Sequence, residues 1–474
     1  MDPSAGAPRR YRRRDWFPWA LVGAVAMSRL ALFSPGEGEP DSARFVIGVW
    51  QWLRFGPHPP RHAYTFAYYS VLAPGYFALV SAVERCFRPA PDRWPLLLNG
   101  LSAAAAVASA PLIYFIGRRL VCKWAARSAA IIFLFSPGYW WLGLEAHPQC
   151  LAFLLLLAAL AAFSSAVAKL AGWDRPVRWR PDLAIRLGAA ALCLVGSLLL
   201  RGDQVLLIGL FPVLALWRSR PNSPRGWARA AALCASVPAL GVAGFLLARS
   251  AILGDSLAGA SAASVGLVRR FWGDPSLIHQ LTPVVTAPGP VVALAAALAL
   301  AIGCFRVRAS HRLVWLAAAM LPGLAFWLCV TGNNVRHVIE FWLPLLWAAT
   351  AATERLRPRL SLYLGAGAML AGGLLLPANS NLTLYPSPNV WGSQTLLARR
   401  ERQMARTAAA LYRAAEGGGT SRELLQRRVN QSILVRGAVA ALAGRGFASC
   451  GAGVGAVPWP LGRGARYRQL HGRV

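Results

Sequence analysis

The sequence predicts an all-α, polytopic integral membrane protein of about eleven transmembrane helices, with a large extracytoplasmic loop after the first. Three observations predict it. Hydrophobic residues make up 56% of the 474 and charged residues only 14%, whereas soluble domains carry about a quarter charged. Apolar stretches near the roughly 20 residues needed to cross a bilayer recur from Trp16 to Leu376. The arginines, finally, collect in short clusters between those stretches.

Taken in order, residues 1–15 form a basic N-terminus and the first span is Trp16–Ser34. Its basic flank and the lack of a small-residue cleavage site mark it as a retained span. The first outer loop runs from Pro35 to about Leu96. Within it Tyr69–Phe87 is apolar enough to pass for a span, but counting it as one would place Arg118, Arg119, Lys123 and Arg127 outside. It therefore reads as a helix lying at the outer interface, a depth that suits Tyr64, Tyr68, Tyr69, Tyr76 and Trp94. Further spans are expected at about 97–117, 128–143, 149–168, 184–200, 205–217, 230–247, 285–304, 313–331, 338–353 and 360–376. Residues 130–170 make a helical hairpin with a polar tip, and 248–283 a second large outer loop. The multi-span domain thus covers 16–376. The stretch 377–474 loses long apolar runs and gains Gly, Arg and Ser, which predicts an extracytoplasmic tail or small domain.

Sidedness follows from charge. Clusters at Arg9–Arg14, Arg118–Arg127, Lys169–Arg186, Arg218–Arg229, Arg306–Arg312 and Arg355–Arg359 hold about half of the 50 basic residues, while the turns 144–148, 201–204 and 332–337 hold only Arg201 and Arg336. Cytoplasmic loops retain Lys and Arg, so the N-terminus is expected inside and the C-terminus outside. Retention and anionic lipids account for the formal charge of +32 without a nucleic-acid partner. There is no GxGxxG after a strand and no GxxxxGKS, which excludes a recognisable soluble-nucleotide site. Nor is there an inverted repeat with paired broken helices of transporter type. The eight cysteines lack zinc spacing and read mostly as small buried residues, although Cys86 and Cys450 would both face outside and could pair. Heavy Ala, Arg and Gly usage suggests a GC-rich bacterial gene, and hence a bacterial plasma membrane.

Charged groups at membrane depth are expensive and mark candidate functional positions. Four places qualify, all on the outer side of this topology. In Glu37-Gly-Glu39-Pro-Asp41-Ser-Ala-Arg44 a carboxylate could act as general base toward an acceptor hydroxyl, or the segment could be a solvated loop with a helix cap at Asp41. Arg29 lies about two turns back within the first span. Glu145 and His147 could orient an acceptor or help hold a divalent cation such as Mg or Mn, or could be a solvated turn. In Arg201-Gly-Asp203-Gln204 the arginine could bind phosphate, or Asp203 could simply be its ion-pair partner. In Asn333-Asn334-Val-Arg336-His337 a guanidinium suits a lipid phosphate through bidentate, charge-assisted hydrogen bonds.

At these residues the chain resembles the GT-C superfamily of membrane glycosyltransferases, especially the branch of protein O-mannosyltransferases and lipid A aminoarabinose transferases. Those families carry Asp-Glu-x-Arg-Tyr in the first outer loop, and Pro40-Asp41-Ser42-Ala43-Arg44-Phe45 lines up with it, with Ser42 in place of the Glu. Tyr68-Tyr69-Ser-Val-Leu-Ala-Pro74-Gly75-Tyr76-Phe77 is similar to their Pro- and Tyr-rich juxtamembrane helix. Gly117-Arg118-Arg119-Leu120 and Ser136-Pro137-Gly138-Tyr139 match the next two motifs. The resemblance, which covers about residues 15–350, implies Asp41 as catalytic base, Glu145 as a second acidic site residue and Arg336 at a lipid phosphate. Glu37 and Glu39 stay rivals to Asp41 because of Ser42. The implied reaction moves a sugar from a polyprenyl-phosphate lipid to a hydroxyl of a glycan, lipid or protein acceptor at the outer face, with inversion. Arg44, His147, Arg201 and His337 would join the site. A lipid-linked-sugar transporter or flippase, or a non-catalytic scaffold, are the alternatives. A transporter would need polar residues near the middle of several spans, where the sequence places few.

Overall fold

A computed structural model describes residues 15–32, 45, 48–49, 52–53, 56, 73–89, 93–144, 146–170, 174, 181–216, 221–254, 281, 284–306, 316, 318–328 and 335–356. Every described element is helical. In chain order they are α1 (Phe17–Leu32), α2 (Pro74–Phe87), α3 (Trp94–Leu120), α4 (Lys123–Leu134), α5 (Pro137–Leu142), α6 (Gln149–Val167), α7 (Pro181–Leu200), a 3₁₀ turn (Gly202–Leu207), α8 (Leu210–Leu216), α9 (Pro224–Leu253), α10 (Pro290–Arg306), α11 (Leu321–Leu328) and α12 (Val335–Leu356). Four of them, α3, α6, α7 and α9, are long and apolar enough to cross a membrane. Helix occupies ten of the eleven expected spans; the eleventh, 360–376, and the tail 377–474 lie outside the described residues.

Side-chain hydrogen bonds fix the register of the central helices. Ser102 Oγ donates to the His147 carbonyl at 2.9 Å, and Arg119 Nη1 donates to Ser164 Oγ at 2.7 Å. Both pairs are 45 residues apart, so α3 and α6 run parallel. Ser197 Oγ donates to the Ala152 carbonyl at 2.8 Å, and Arg186 at the other end of α7 pairs with Ser165, so α6 and α7 are antiparallel. Lipid tails are as apolar as leucine, so helices in a bilayer associate by close packing rather than by hydrophobic exclusion. Alanines serve that purpose here: Ala105, Ala106 and Ala110 of α3, Ala125, Ala126, Ala129 and Ala130 of α4, and Ala348, Ala349 and Ala352 of α12 are buried. Large apolar side chains that remain exposed, among them Trp19, Leu192, Leu240, Leu294 and Leu298, provide the surface that hydrocarbon covers.

Three differences from the expected elements have local causes. The span expected at 128–143 is broken: α4 stops at Leu134 and α5 restarts at Pro137. Pro137 has no N–H for an interior helical bond but suits a first turn. Ser136 Oγ donates to the Phe133 carbonyl at 2.6 Å, and Gly138 N–H bonds the Ala287 carbonyl at 3.0 Å. The span expected at 205–217 is a 3₁₀ turn followed by the seven-residue α8. The helix expected at 69–87 begins at Pro74 and has 14 residues, about 21 Å long against about 30 Å of hydrocarbon, so it is too short to cross. It lays Pro74, Tyr76, Phe77 and Val80 inward across the ends of α7 and α9.

One end of the bundle is basic. Asp15 accepts hydrogen bonds there from Tyr114, Arg118 and Arg127, and Arg127 Nη2 approaches it to 2.6 Å and Lys123 Nζ to 3.5 Å. Arg127 also lies over Phe17. This cluster ties the start of α1 to the end of α3 and the start of α4. Gly117, in the Gly-Arg-Arg-Leu motif, sits where a Cβ would come 2.5 Å from Trp347 Nε1 of α12. The motif glycine is thus needed for close approach of two helices.

Two predictions follow from this end. Partial burial pushes the Asp15 carboxyl upward, but the Tyr114 hydroxyl, Arg127 and Lys123 outweigh it and hold the carboxyl well below the usual carboxylate range. The stability it contributes is therefore complete above about pH 4, the unfolded carboxylate value, and is lost as pH falls through the native value. Asp15→Asn is expected to lower stability by about 1–2 kcal/mol at pH 7, a figure reduced for solvent screening. The gap should narrow below pH 4 in thermal unfolding of the detergent-solubilised protein; an equal gap at pH 7 and pH 3 would refute it. Gly117→Ala is expected to destabilise by about 1–3 kcal/mol through overpacking against Trp347, measured in the same way.

Candidate functional site

At the opposite end the chain leaves α7 abruptly. Leu200 is the last helical residue, and Arg201 is extended, with φ −162° and ψ 103°, before the 3₁₀ turn begins. This turn puts Asp203 and Gln204 beside the first turn and a half of α12. Arg201 Nη2 donates to Asp203 and lies 2.9 Å from His337 Nδ1. A guanidinium can only donate, so His337 Nδ1 is the acceptor in this contact. The imidazole stacks on Trp327 of α11, with ring centroids 4.1 Å apart. Of the two readings of Arg201, the structure shows the ion pair with Asp203, and His337 from a distant helix bonds the same nitrogen.

Three residues beyond His337, on the same side of α12, is Glu340, only 3% exposed. It accepts a hydrogen bond from Gln204 Nε2, and the Gln149 amide at the start of α6 also bears on its carboxylate. Glu340 was not among the candidates drawn from the sequence, which named Arg29 as the clearest charge inside a span. A signal existed, namely a lone carboxylate in the first turn of the span Val338–Pro344, at i+3 from His337.

Arg29, near the end of α1, is 1% exposed. Its Nη2 donates to the Leu134 carbonyl at 3.1 Å and its Nη1 to Ser28 Oγ at 3.3 Å, and the guanidinium lies over Trp140. Leu134 is the last residue of α4, so the cation answers an orphan carbonyl at the negative end of a helix. A Cβ on Gly143 would come 2.7 Å from Arg29 Nε and 3.0 Å from Ala106 Cβ. The arginine therefore lies beneath the turn that carries residues 143–148. In that turn His147 is 2% exposed and meets Phe45 edge-on at 5.4 Å. Phe45, the residue after Arg44, packs in turn on Tyr76 and Phe77 of α2.

The structure thus brings Arg201 and His337 together and places His147 at the same end, linked to them through Gln149 and Glu340. Asp41, Arg44 and Glu145 lie outside the described residues, as do Glu37 and Glu39. Arg336 occupies the first turn of α12, but its side chain is outside the described set. Among the described residues no three of His, Cys, Asp and Glu gather as ligands for a cation, and His147 packs against an aromatic ring. Cys86 is exposed with a free thiol; Cys450 lies outside the described residues.

A helical bundle that includes four helices long and apolar enough to cross a membrane marks an integral membrane protein, and its fold is like that of solved membrane-protein structures. In particular, the chain is similar to ArnT from Cupriavidus metallidurans. The form bound to undecaprenyl phosphate matches with 16% identity and a TM-score of 0.52, over 91% of this chain and 77% of that one. The apo form gives 15% and 0.51, over 90% and 76%. The Archaeoglobus fulgidus oligosaccharyltransferase tethered with an acceptor peptide gives 15% and 0.46, over 88% of this chain and 59% of that one. The chain therefore spans about three fifths of that oligosaccharyltransferase. No family model matches the sequence, and no curated protein matches it.

The contact beneath the 143–148 turn generates a prediction. Gly143→Ala is expected to displace Arg29 and destabilise the protein by about 1–3 kcal/mol. Combining it with Arg29→Ala should restore part of the loss in a thermal-shift measurement, and strict additivity would count against the contact.

Proposed function

We propose that the protein is a GT-C glycosyltransferase that moves a sugar from a polyprenyl-phosphate lipid to an acceptor hydroxyl. The site end of the bundle faces outward and the basic end the cytoplasm, in a bacterial plasma membrane. The observation that carries this reading is the gathering of residues from distant stretches at the end opposite the arginines. Phe45, His147, Gln149, Arg201, Gln204, His337 and Glu340 form a chain of neighbours there. The likeness of fold to ArnT, whose structure holds undecaprenyl phosphate, supports a lipid phosphate as the ligand. The described charged side chains that are buried collect near the ends of the bundle, which favours a site at one face over a path through the middle.

In this reading Asp41 takes the proton of the acceptor hydroxyl as its oxygen attacks the anomeric carbon. The bond from that carbon to the phosphate oxygen breaks on the opposite side, and polyprenyl phosphate leaves with the electron pair, so configuration inverts. Arg201 and Arg336, together with Arg44 and His337, hold the developing phosphate charge in a site that excludes water. Glu145 and His147 orient the acceptor. Glycan, lipid and protein hydroxyls all remain acceptors of the right chemistry, and a pentose or a hexose would serve as the sugar.

Purified protein assayed with radiolabelled polyprenyl-phosphate sugars should transfer at least one of them. Asp41→Asn should lower the rate by about 100-fold or more, and Arg201→Ala by about 10²–10³-fold. Full activity in Asp41→Asn would move the base to Glu37, Glu39 or Glu145, whereas no transfer from any donor would sink the assignment.

A further inference from the structure

Three buried oxygens at the site end have no hydrogen-bond donor. They are Asp203 Oδ1, Gln204 Oε1 and Glu340 Oε1. Their companion atoms are engaged: Asp203 Oδ2 by Arg201, and Glu340 Oε2 by the Gln204 amide. Gln204 is 1% exposed and Glu340 3%, so bulk water does not reach them. A native fold seldom leaves buried acceptors unanswered, and a cluster of them calls for an explanation. All three are acceptors, and Trp327 Nε1, on the ring stacked against His337, is an unanswered donor beside them, so whatever satisfies the group presents donors and can also accept, as hydroxyls do. Anionic groups are excluded by two carboxylates, and an apolar group would leave the oxygens as they are. A ligand with several hydroxyls fits.

The placement says which hydroxyls. Asp203 touches Arg201 itself, and Glu340 is three residues after His337 on α12, about one helical turn or about 5 Å along the axis, so the orphan oxygens adjoin the Arg201–His337 contact and extend about that far from it. A phosphate held at Arg201 would place the sugar joined to it at that distance. We infer that Glu340 and Gln204, with Asp203 beside them, recognise the hydroxyl groups of the glycosyl unit being transferred and so set donor specificity. This inference rests on the proposed function, because it takes Arg201 as the phosphate end of the same ligand. A site built to bond hydroxyls discriminates strongly against a ligand that lacks them, since its buried polar groups are then left unpaired.

The test compares equilibrium binding of undecaprenyl-phosphate glucose, mannose, galactose and arabinose with that of bare undecaprenyl phosphate, to full-length protein in nanodiscs. Wild type should bind at least one glycosylated lipid about tenfold or more tightly than the bare lipid. Glu340→Gln, which preserves shape, and Gln204→Ala should each reduce that preference to less than about threefold while leaving affinity for the bare lipid intact, which also reports that they fold. A wild type with no preference, a preference unchanged in both variants, or an equal loss of bare-lipid binding would each overturn the inference. The transfer assay run alongside separates the two ideas. Preference without transfer would remove the transferase reading and leave the subsite, whereas transfer whose selectivity ignores both variants would remove the subsite alone.

Discussion

A polar side chain inside this bundle has no water to fall back on, and that constraint arranges the rest of the structure. Backbone groups solve it by forming helices throughout the described segments, the option hydrocarbon leaves open to a chain that is not a closed barrel. Side chains solve it by bonding to carbonyls of neighbouring helices, as Ser102, Ser197 and Thr350 do with His147, Ala152 and Ala125. Because such bonds join one particular residue to another, they set helix register as well as satisfying the donor. Close approach then requires small side chains along the seams, which is why the buried faces of α4 and α12 are rich in alanine.

Charge obeys the same constraint differently at the two ends. At the basic end one carboxylate, Asp15, is shared among three cations and a phenol, so the local sum stays positive while each contact is short. At the site end Arg201 pairs with Asp203, while two other described charged side chains bond dipoles. Arg29 bonds a helix-terminal carbonyl rather than a carboxylate, and Glu340 bonds amides rather than a cation.

The sequence disclosed the parts of this arrangement that depend on long-range averages. Hydropathy located ten segments where helices stand, and the arginine distribution separated the two ends before any contact was known. Breaks inside segments are less visible: Ser136-Pro137 is legible as a motif, yet its apolar flanks hide the interruption between α4 and α5. Glu340 was hidden for a related reason. Attention to turns favours Glu145 and Arg336, which flank spans, whereas Glu340 lies just within one and is diluted by Val338, Ile339, Phe341 and Trp342. The partner that gives it meaning, Gln204, is 136 residues away, a separation no local pattern encodes.

The break after Leu200 shows how the scaffold shapes the candidate site. Had α7 continued as a regular helix, Arg201, Asp203 and Gln204 would point in three directions about 100° apart per residue. Extended backbone at Arg201 followed by a 3₁₀ turn instead lets Arg201 and Asp203 meet each other and His337 while Gln204 reaches Glu340. Asp203 and His337 hold the guanidinium by one nitrogen, so its orientation is set by the fold itself. Fixing a long, rotamer-rich side chain in advance removes an entropic penalty from binding, and the interrupted helix is the feature that makes it possible.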